Sequence, residues 1–262
     1  MKTTEKGDGG YRQWRLPEPK YVFLLVHGLG AHSGRWEAMA DFFLKKGISS
    51  YAVELKDGSR ENFGSYYGKI LRLYGIIAKE NPSKKIFLAG ESMGALISFL
   101  LCAARPGAFS GLICISPAFA ARERIAFPDG IRMLAALFYN PGKQFTLPFD
   151  SSMCTRDIDY INKMDQDPRE YRSVPLRQIF EILLAQVYAR AVKKKMMTPA
   201  LFLIAGEDKI VDPAVSAAVF KGLAVKDKTL VEFPGMYHAL SIELGKEAVF
   251  EEILKWAERR IS

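Results

Sequence analysis

Cysteine and histidine are both scarce in this chain, three of each among 262 residues. Cys102, Cys114 and Cys154 are too few and too scattered to make a disulfide framework. The first two sit in the apolar stretches FLLCAA and GLICIS, where a cysteine reads as a small buried hydrophobe. There is no Cys-x-x-Cys pair and no Cys/His cluster, so the sequence offers no metal site. No apolar run approaches the roughly 20 residues of a membrane span. The polar stretch Met1–Lys20 lacks the apolar centre of a signal peptide, which leads to the expectation of a cytoplasmic protein.

Acidic residues are fewer than basic ones, 29 against 37, for a net charge of +8. Such a balance raises nucleic acid, anionic lipid and acidic substrates as partners. The lysines and arginines are spread along the chain, however. The densest run, Lys193-Lys194-Lys195, closes a helical segment, where cations suit the helix dipole. No nucleic-acid motif accompanies the charge, so a nucleic-acid partner is not expected. A transient contact with a membrane surface stays open.

What the chain has in plenty is alternation. Short apolar runs read as strands buried on both faces: Tyr21–Leu29, Ile48–Leu55, KKIFLAGES, GLICISPAF, TPALFLIAGED and KTLVEFPG. Between them lie segments with helical spacing: RWEAMADFFLKKG with Gly47 as its stop, Phe63–Glu80 with Pro82 behind it, MGALISFLLCAAR ahead of Pro106, PAVSAAVFKGL, and Glu243–Arg260. YRQWRL near the start is read as an edge strand. Strands alternating with helices imply an α/β fold, a mostly parallel sheet covered on both sides, with ligands beyond the carboxyl ends of the strands. The rhythm breaks between residues 120 and 197, where the pattern is helical and interrupted by five prolines. We therefore expect a core of residues 1–119 and 198–262, with 120–197 as a helical cap inserted after the fourth core strand. The alternative, a separate second domain, suits the length and proline punctuation less well.

Gly90-Glu91-Ser92-Met93-Gly94 fits G-x-S-x-G, lying between a strand and a helix. That context places the serine on a sharp bend at the edge of the sheet, as a nucleophile requires. A serine hydroxyl needs a base. His27 and His32 lie before the serine, whereas His238 follows the last strand, which gives the chain order serine, acid, histidine. The acid should follow the preceding strand, in AGEDKIVDP. Asp208 is the candidate at the strand end; Asp212, before Pro213, suits a helix cap, and Glu207 suits solvent. Acyl transfer also needs donors for an oxyanion. The backbone N–H groups of Met93 and of Leu29, in His27-Gly28-Leu29-Gly30, are the candidates, with His27 expected to brace that loop.

With these segments in view, the chain resembles the monoacylglycerol lipase and lysophospholipase-like family of α/β-hydrolases. HGLGAHSGRW is similar to that family's HGxGEHSGRY segment, GESMGALI to its nucleophile elbow, and AGEDKIVDP and YHAL to its acid and histidine segments. MCTRDIDYINKMDQDP resembles its RD…DP stretch. The likeness runs from about Val22 onward. It implies Ser92, Asp208 and His238 as a triad, Leu29 and Met93 as the oxyanion hole, carboxylic ester substrates of the monoacylglycerol or lysophospholipid type, and no cofactor. The chain departs from the family in the loop Glu54–Ser59, which is shorter and lacks a histidine. It also carries Glu91 where animal monoacylglycerol lipases have histidine, and Ala95 where a second glycine is usual.

The expected function is serine ester hydrolysis of a small-molecule, lipid-like substrate. A small-ester esterase or an acyltransferase on the same triad, and a non-catalytic binder of the same fold, are the alternatives. Within the cap, Ile131, Met133, Leu134, Leu137, Phe138 and Tyr139 form an apolar stretch that could pack against Ile179, Ile182, Leu183 and Val187. Leu137 and Phe138 are the residues expected to face an acyl chain.

Overall fold

The computed structural model describes residues 3–7, 10–56, 62–123 and 127–261. In chain order the first half holds β1 (Thr3–Gly7), β2 (Tyr11–Trp14), β3 (Val22–Val26), α1 (Glu37–Lys45), β4 (Ser49–Val53), α2 (Phe63–Glu80), β5 (Ile86–Glu91), α3 (Met93–Ala104) and β6 (Gly111–Ile115). The middle holds α4 (Phe127–Tyr139), β7 (Gln144–Thr146), α5 (Ser151–Cys154), α6 (Ile158–Gln166), β8 (Ser173–Pro175) and α7 (Leu176–Val192). The last part returns to β9 (Ala200–Ala205), α8 (Pro213–Lys221), β10 (Lys228–Phe233) and α9 (Lys246–Glu258).

Eight strands form one sheet in the order β1-β2-β4-β3-β5-β6-β9-β10. Every pairing from β4 to β10 is parallel; only β1–β2 and β2–β4 are antiparallel. All residues of β3, β4, β5, β6 and β9 are buried, which explains why they read as unbroken apolar runs. Strand side chains alternate between faces, and the core divides accordingly. Val22, Leu24 and Val26 point to the side covered by α2, α3 and α8. Phe23 and Leu25 point to the side covered by α1 and α9, where Trp36, Phe43, Phe250 and Trp256 pack. Each such side chain contributes about 1.5–3 kcal/mol by leaving water.

This topology positions the site. β9 and β10 run side by side, Ala205 opposite Phe233, so the loops carrying Asp208 and His238 leave the sheet together. β5 lies two strands away across β6, and its end, Glu91, leads straight into α3 through Ser92.

Three expectations need correction. YRQWRL does form a strand, but β1 pairs outside it, so β2 is not the edge. The closing helix begins at Lys246 rather than Glu243, because Gly245 takes a left-handed φ of +79° and the Glu243 side chain turns inward to accept backbone N–H groups. The inserted segment is not wholly helical: β7 and β8 pair as an antiparallel ribbon, Phe145 opposite Val174. Its last helix also belongs in part to the core, since Ala185, Ala189 and Val192 of α7 are buried with α3. Residues 57–59 of the loop Glu54–Ser59, and residues 124–126 of the expected cap, lie outside the described residues.

Candidate active site

Ser92 sits between β5 and α3 with φ +57° and ψ −121°, a conformation costly for a residue with a side chain. Its neighbours hold it there. The Ser92 N–H donates to the Ile115 carbonyl at 2.9 Å, and the Ser92 carbonyl accepts from Ala95, Leu96 and Ala118 at 3.0, 3.2 and 3.2 Å. The flanking glycines give the bend room. A Cβ at Gly94 would lie 2.6 Å from the His27 carbonyl oxygen, and one at Gly90 would lie 2.5 Å from the Gly94 carbonyl carbon. The two ends of G-x-S-x-G are thus fixed by contact with backbone, which cannot swing aside.

His238 and Asp208 are brought together. The His238 ring Nδ1 donates to Asp208 Oδ2 at 2.8 Å, and both side chains are almost fully buried. The other carboxylate oxygen, Oδ1, accepts from the N–H groups of Ile210 and Val211 at 2.8 and 2.9 Å. Two backbone bonds therefore lock Asp208, and Asp208 locks the histidine tautomer, leaving Nε2 as an acceptor. Burial works against the imidazolium, but the Asp208 carboxylate outweighs it and holds the His238 pKa above the ordinary histidine value. Among the described residues the Ser92 hydroxyl makes no hydrogen bond, so its link to Nε2 is open in this structure; such links commonly tighten only around substrate.

Asp212 and Glu207 take the other roles read for them. Asp212 caps α8, accepting from Ala214 and Val215 ahead of Pro213, and Glu207 is exposed.

The loop His27–Gly30 presses against the serine: a Cβ at Gly28 would stand 3.1 Å from the Ser92 Cβ. His27 braces this loop, with Nδ1 2.9 Å from the Gly28 carbonyl and Nε2 3.1 Å from both the Leu55 N–H and Glu54 Oε1. Glu54 also accepts from the N–H and hydroxyl of Ser33. Burial pushes its carboxyl up, but these bonds outweigh it and bring the pKa down to about 2. Leu29 is half-buried beside the serine loop, and Met93 opens α3, where a first-turn N–H has no partner within the helix. On α4, Leu137 is half-buried whereas Phe138 is 84% exposed.

Several buried charges surround the site; the sequence marks Glu91 as a departure from the family pattern and gives the others no role. Arg35, just before α1, makes a two-pronged bond to Glu170 at 2.7 and 2.8 Å. Burial opposes the Arg35 charge, and Glu170 more than restores it. His32 Nε2 lies 3.2 Å from Asp167. Glu243, wholly buried, accepts from the N–H groups of Arg156 and Tyr237, the latter directly before His238. Glu91 accepts from Ser241, three residues after His238. The Ala239 N–H donates to the Cys154 carbonyl at 2.8 Å. Segment 154–170 is thus tied both to the histidine loop and to the start of α1.

A parallel sheet flanked by helices, with a serine on a strained strand-to-helix bend and a histidine–aspartate pair at the neighbouring strand ends, defines an α/β-hydrolase. The chain belongs to the Hydrolase_4 family, described as serine aminopeptidase, S33, whose model matches residues 17–245, and within the α/β-hydrolases it is a relative of the monoglyceride lipases. The mouse protein named monoglyceride lipase is 30% identical over 97% of this chain and 89% of its own length. Two solved structures share the fold: a monoacylglycerol lipase of Paleococcus ferrophilus (TM-score 0.83, 24% identity, 94% of this chain and 97% of that one), and a soluble variant of monoglyceride lipase from Saccharomyces cerevisiae in complex with a substrate analog (TM-score 0.84, 19% identity, 99% and 95%).

Proposed function

We propose that this chain is a serine ester hydrolase acting on monoacylglycerol- or lysophospholipid-like esters through an acyl-enzyme. The observation that carries the reading is the buried His238–Asp208 pair standing beyond the same sheet edge as Ser92. In this mechanism Ser92 Oγ attacks the ester carbonyl carbon while His238 Nε2 takes the hydroxyl proton. The oxyanion accepts from the N–H groups of Leu29 and Met93. Collapse breaks the carbon–oxygen bond, and the imidazolium, stabilised by Asp208, gives its proton to the leaving alcohol. Water then attacks the acyl-enzyme by the same route and frees the acid. Esters are favoured over amides by the names of the relatives.

Residues 120–197 serve in this reading as a lid over the serine, supported by their ties to the histidine loop and α1. Leu137, half-buried, and Phe138, exposed, are the two acyl-contact candidates of this reading. Ile131, Leu134, Phe138 and Tyr139 of α4 are exposed, which supports a transient contact with a lipid surface, detectable by co-flotation with vesicles. No helix among the described residues is long and apolar enough to cross a membrane.

The central test is Ser92→Ala. Ester hydrolysis should fall about a million-fold with the fold intact; near-wild-type turnover in the folded variant would overturn the proposal. A monoester series tests the substrate class. Each buried methylene is worth up to about 0.8 kcal/mol, so kcat/KM should climb over the first several carbons and then level. Leu137→Asp or Phe138→Asp should flatten the climb while sparing the shortest esters. A flat series in the wild type would replace the lipid-like reading with a small-ester esterase.

A further inference from the structure

Glu91 is the last residue of β5 and the neighbour of Ser92, yet its side chain turns into the protein and is almost fully buried. No cation forms an ion pair with it among the described residues. Both carboxylate oxygens are instead taken by one residue: Oε1 accepts from the Ser241 N–H at 3.0 Å and Oε2 from the Ser241 hydroxyl at 2.8 Å. Ser241 is itself fully buried and belongs to the turn that follows His238, where Leu240 N–H bonds back to the His238 carbonyl and Ile242 N–H to Ala239. The residue before the nucleophile therefore holds the segment behind the base, across 150 positions of sequence. Burying an ionisable carboxyl without a paired cation is costly. A glutamine would accept and donate in the same place, so the carboxylate calls for an account beyond packing.

We propose that Glu91 is a positioning residue for the reaction: its grip on Ser241 sets the span between Ser92 and His238. The charged and titratable groups around the pair are few. His238 faces Asp208, Glu91 and Arg35; Glu91 faces His238, Arg35, Cys154 and Tyr160. Burial pushes the Glu91 carboxyl above its usual range, with the Ser241 bonds and His238 opposing. Of the two carboxylates that favour His238 as a cation, Asp208 touches the ring and Glu91 acts at longer range. When ionised, Glu91 adds to Asp208 in favouring the imidazolium, so removing its charge should let His238 give up its proton at lower pH. The inference rests on the triad reading.

The test is a pH–rate profile on a soluble short-chain ester for wild type, Glu91→Gln, Glu91→Ala and Ser241→Ala, with thermal unfolding as the check on folding. Glu91→Ala should lower kcat about ten- to a hundredfold through misplacement, with KM changed less than about threefold. Ser241→Ala, which keeps the backbone bond, should lower kcat about three- to tenfold. Glu91→Gln restores the shape without the charge. It should recover most of the lost kcat while moving the acid limb of kcat/KM to lower pH. A kcat for folded Glu91→Ala within twofold of wild type overturns the positioning role; should that variant not fold, the same result for Ser241→Ala does so. A Glu91→Gln acid limb superimposed on wild type overturns the electrostatic role. Activity surviving in Ser92→Ala, measured alongside, would instead overturn the triad itself, whatever the Glu91 variants do.

Discussion

The ion pair between Arg35 and Glu170 joins the start of α1 to the end of the 154–170 segment, and both side chains are less than a tenth exposed. Its two ends are not equivalent. Remove Glu170, and a buried guanidinium keeps its charge with no other carboxylate bonded to it among the described residues. Remove Arg35, and Glu170 still has Arg172 at 3.8 Å and His32 at 3.7 Å. Leaving one charge of a buried pair unmatched costs about 3–5 kcal/mol, whereas replacing both partners with apolar groups is often neutral or better. Glu170→Leu should therefore lose about 4 kcal/mol, Arg35→Met about half as much, and the double variant should return to within roughly 1 kcal/mol of wild type. The assay is chemical denaturation of the four proteins, comparing midpoints at unchanged m-value. A loss under about 1 kcal/mol for Glu170→Leu, or losses that simply add in the double variant, would refute the claim that this bond is desolvated and holds the segment down.

Asp208→Asn should lower kcat about 10⁴-fold, while Asp212→Asn, which keeps a good helix cap, should stay near wild type; the reverse ranking would move the acid to Asp212. kcat/KM should rise with pH through the titration of His238, because only the neutral imidazole accepts the serine proton, and the midpoint should lie above the ordinary histidine value since Asp208 raises it; a midpoint below that value would contradict the buried pair. Gly94→Ala forces a methyl against the Val26 and His27 carbonyls and should cost about 1–3 kcal/mol together with a fall in kcat, read by thermal unfolding and steady-state kinetics; an unperturbed variant would mean the elbow can relax.

Much of the fold is legible in the residues, and the reasons differ by element. β3, β5, β6 and β9 show through because burial on both faces demands apolar side chains at every position. α2 shows its limits because Asn62 caps it through a reciprocal bond with Ser65 and Pro82 follows its end. β7 and β8 do not show, because three residues with partly exposed side chains carry no period. The true start of α9 is hidden for another reason. Glu243 has good helix propensity, and the left-handed Gly245 together with the bonds that Glu243 accepts from Tyr237 and Arg156 keeps it out of the helix.

The site divides along the same line. Ser92, Asp208 and His238 stand out because the roles proposed for them fix both residue type and chain order. The charges around them do not, since a glutamate or arginine in a sequence reads by default as surface. Arg35, Glu91, Glu170 and Glu243 are buried because residues far along the chain supply their partners, 135 positions away for Arg35 and 150 for Glu91. This also changes what the net charge of +8 means. Arg35, Arg156, Arg169 and Arg172 all face carboxylates of the protein itself, at Glu170, Glu243 and Asp167. Basic side chains that look available to an anionic partner are, around the site, internal ties between the histidine loop, α1 and the segment between them. These pairs nearly balance and leave most of the excess of +8 to the other lysines and arginines, so the basic side chains around the site speak to the geometry of His238 and not to a partner.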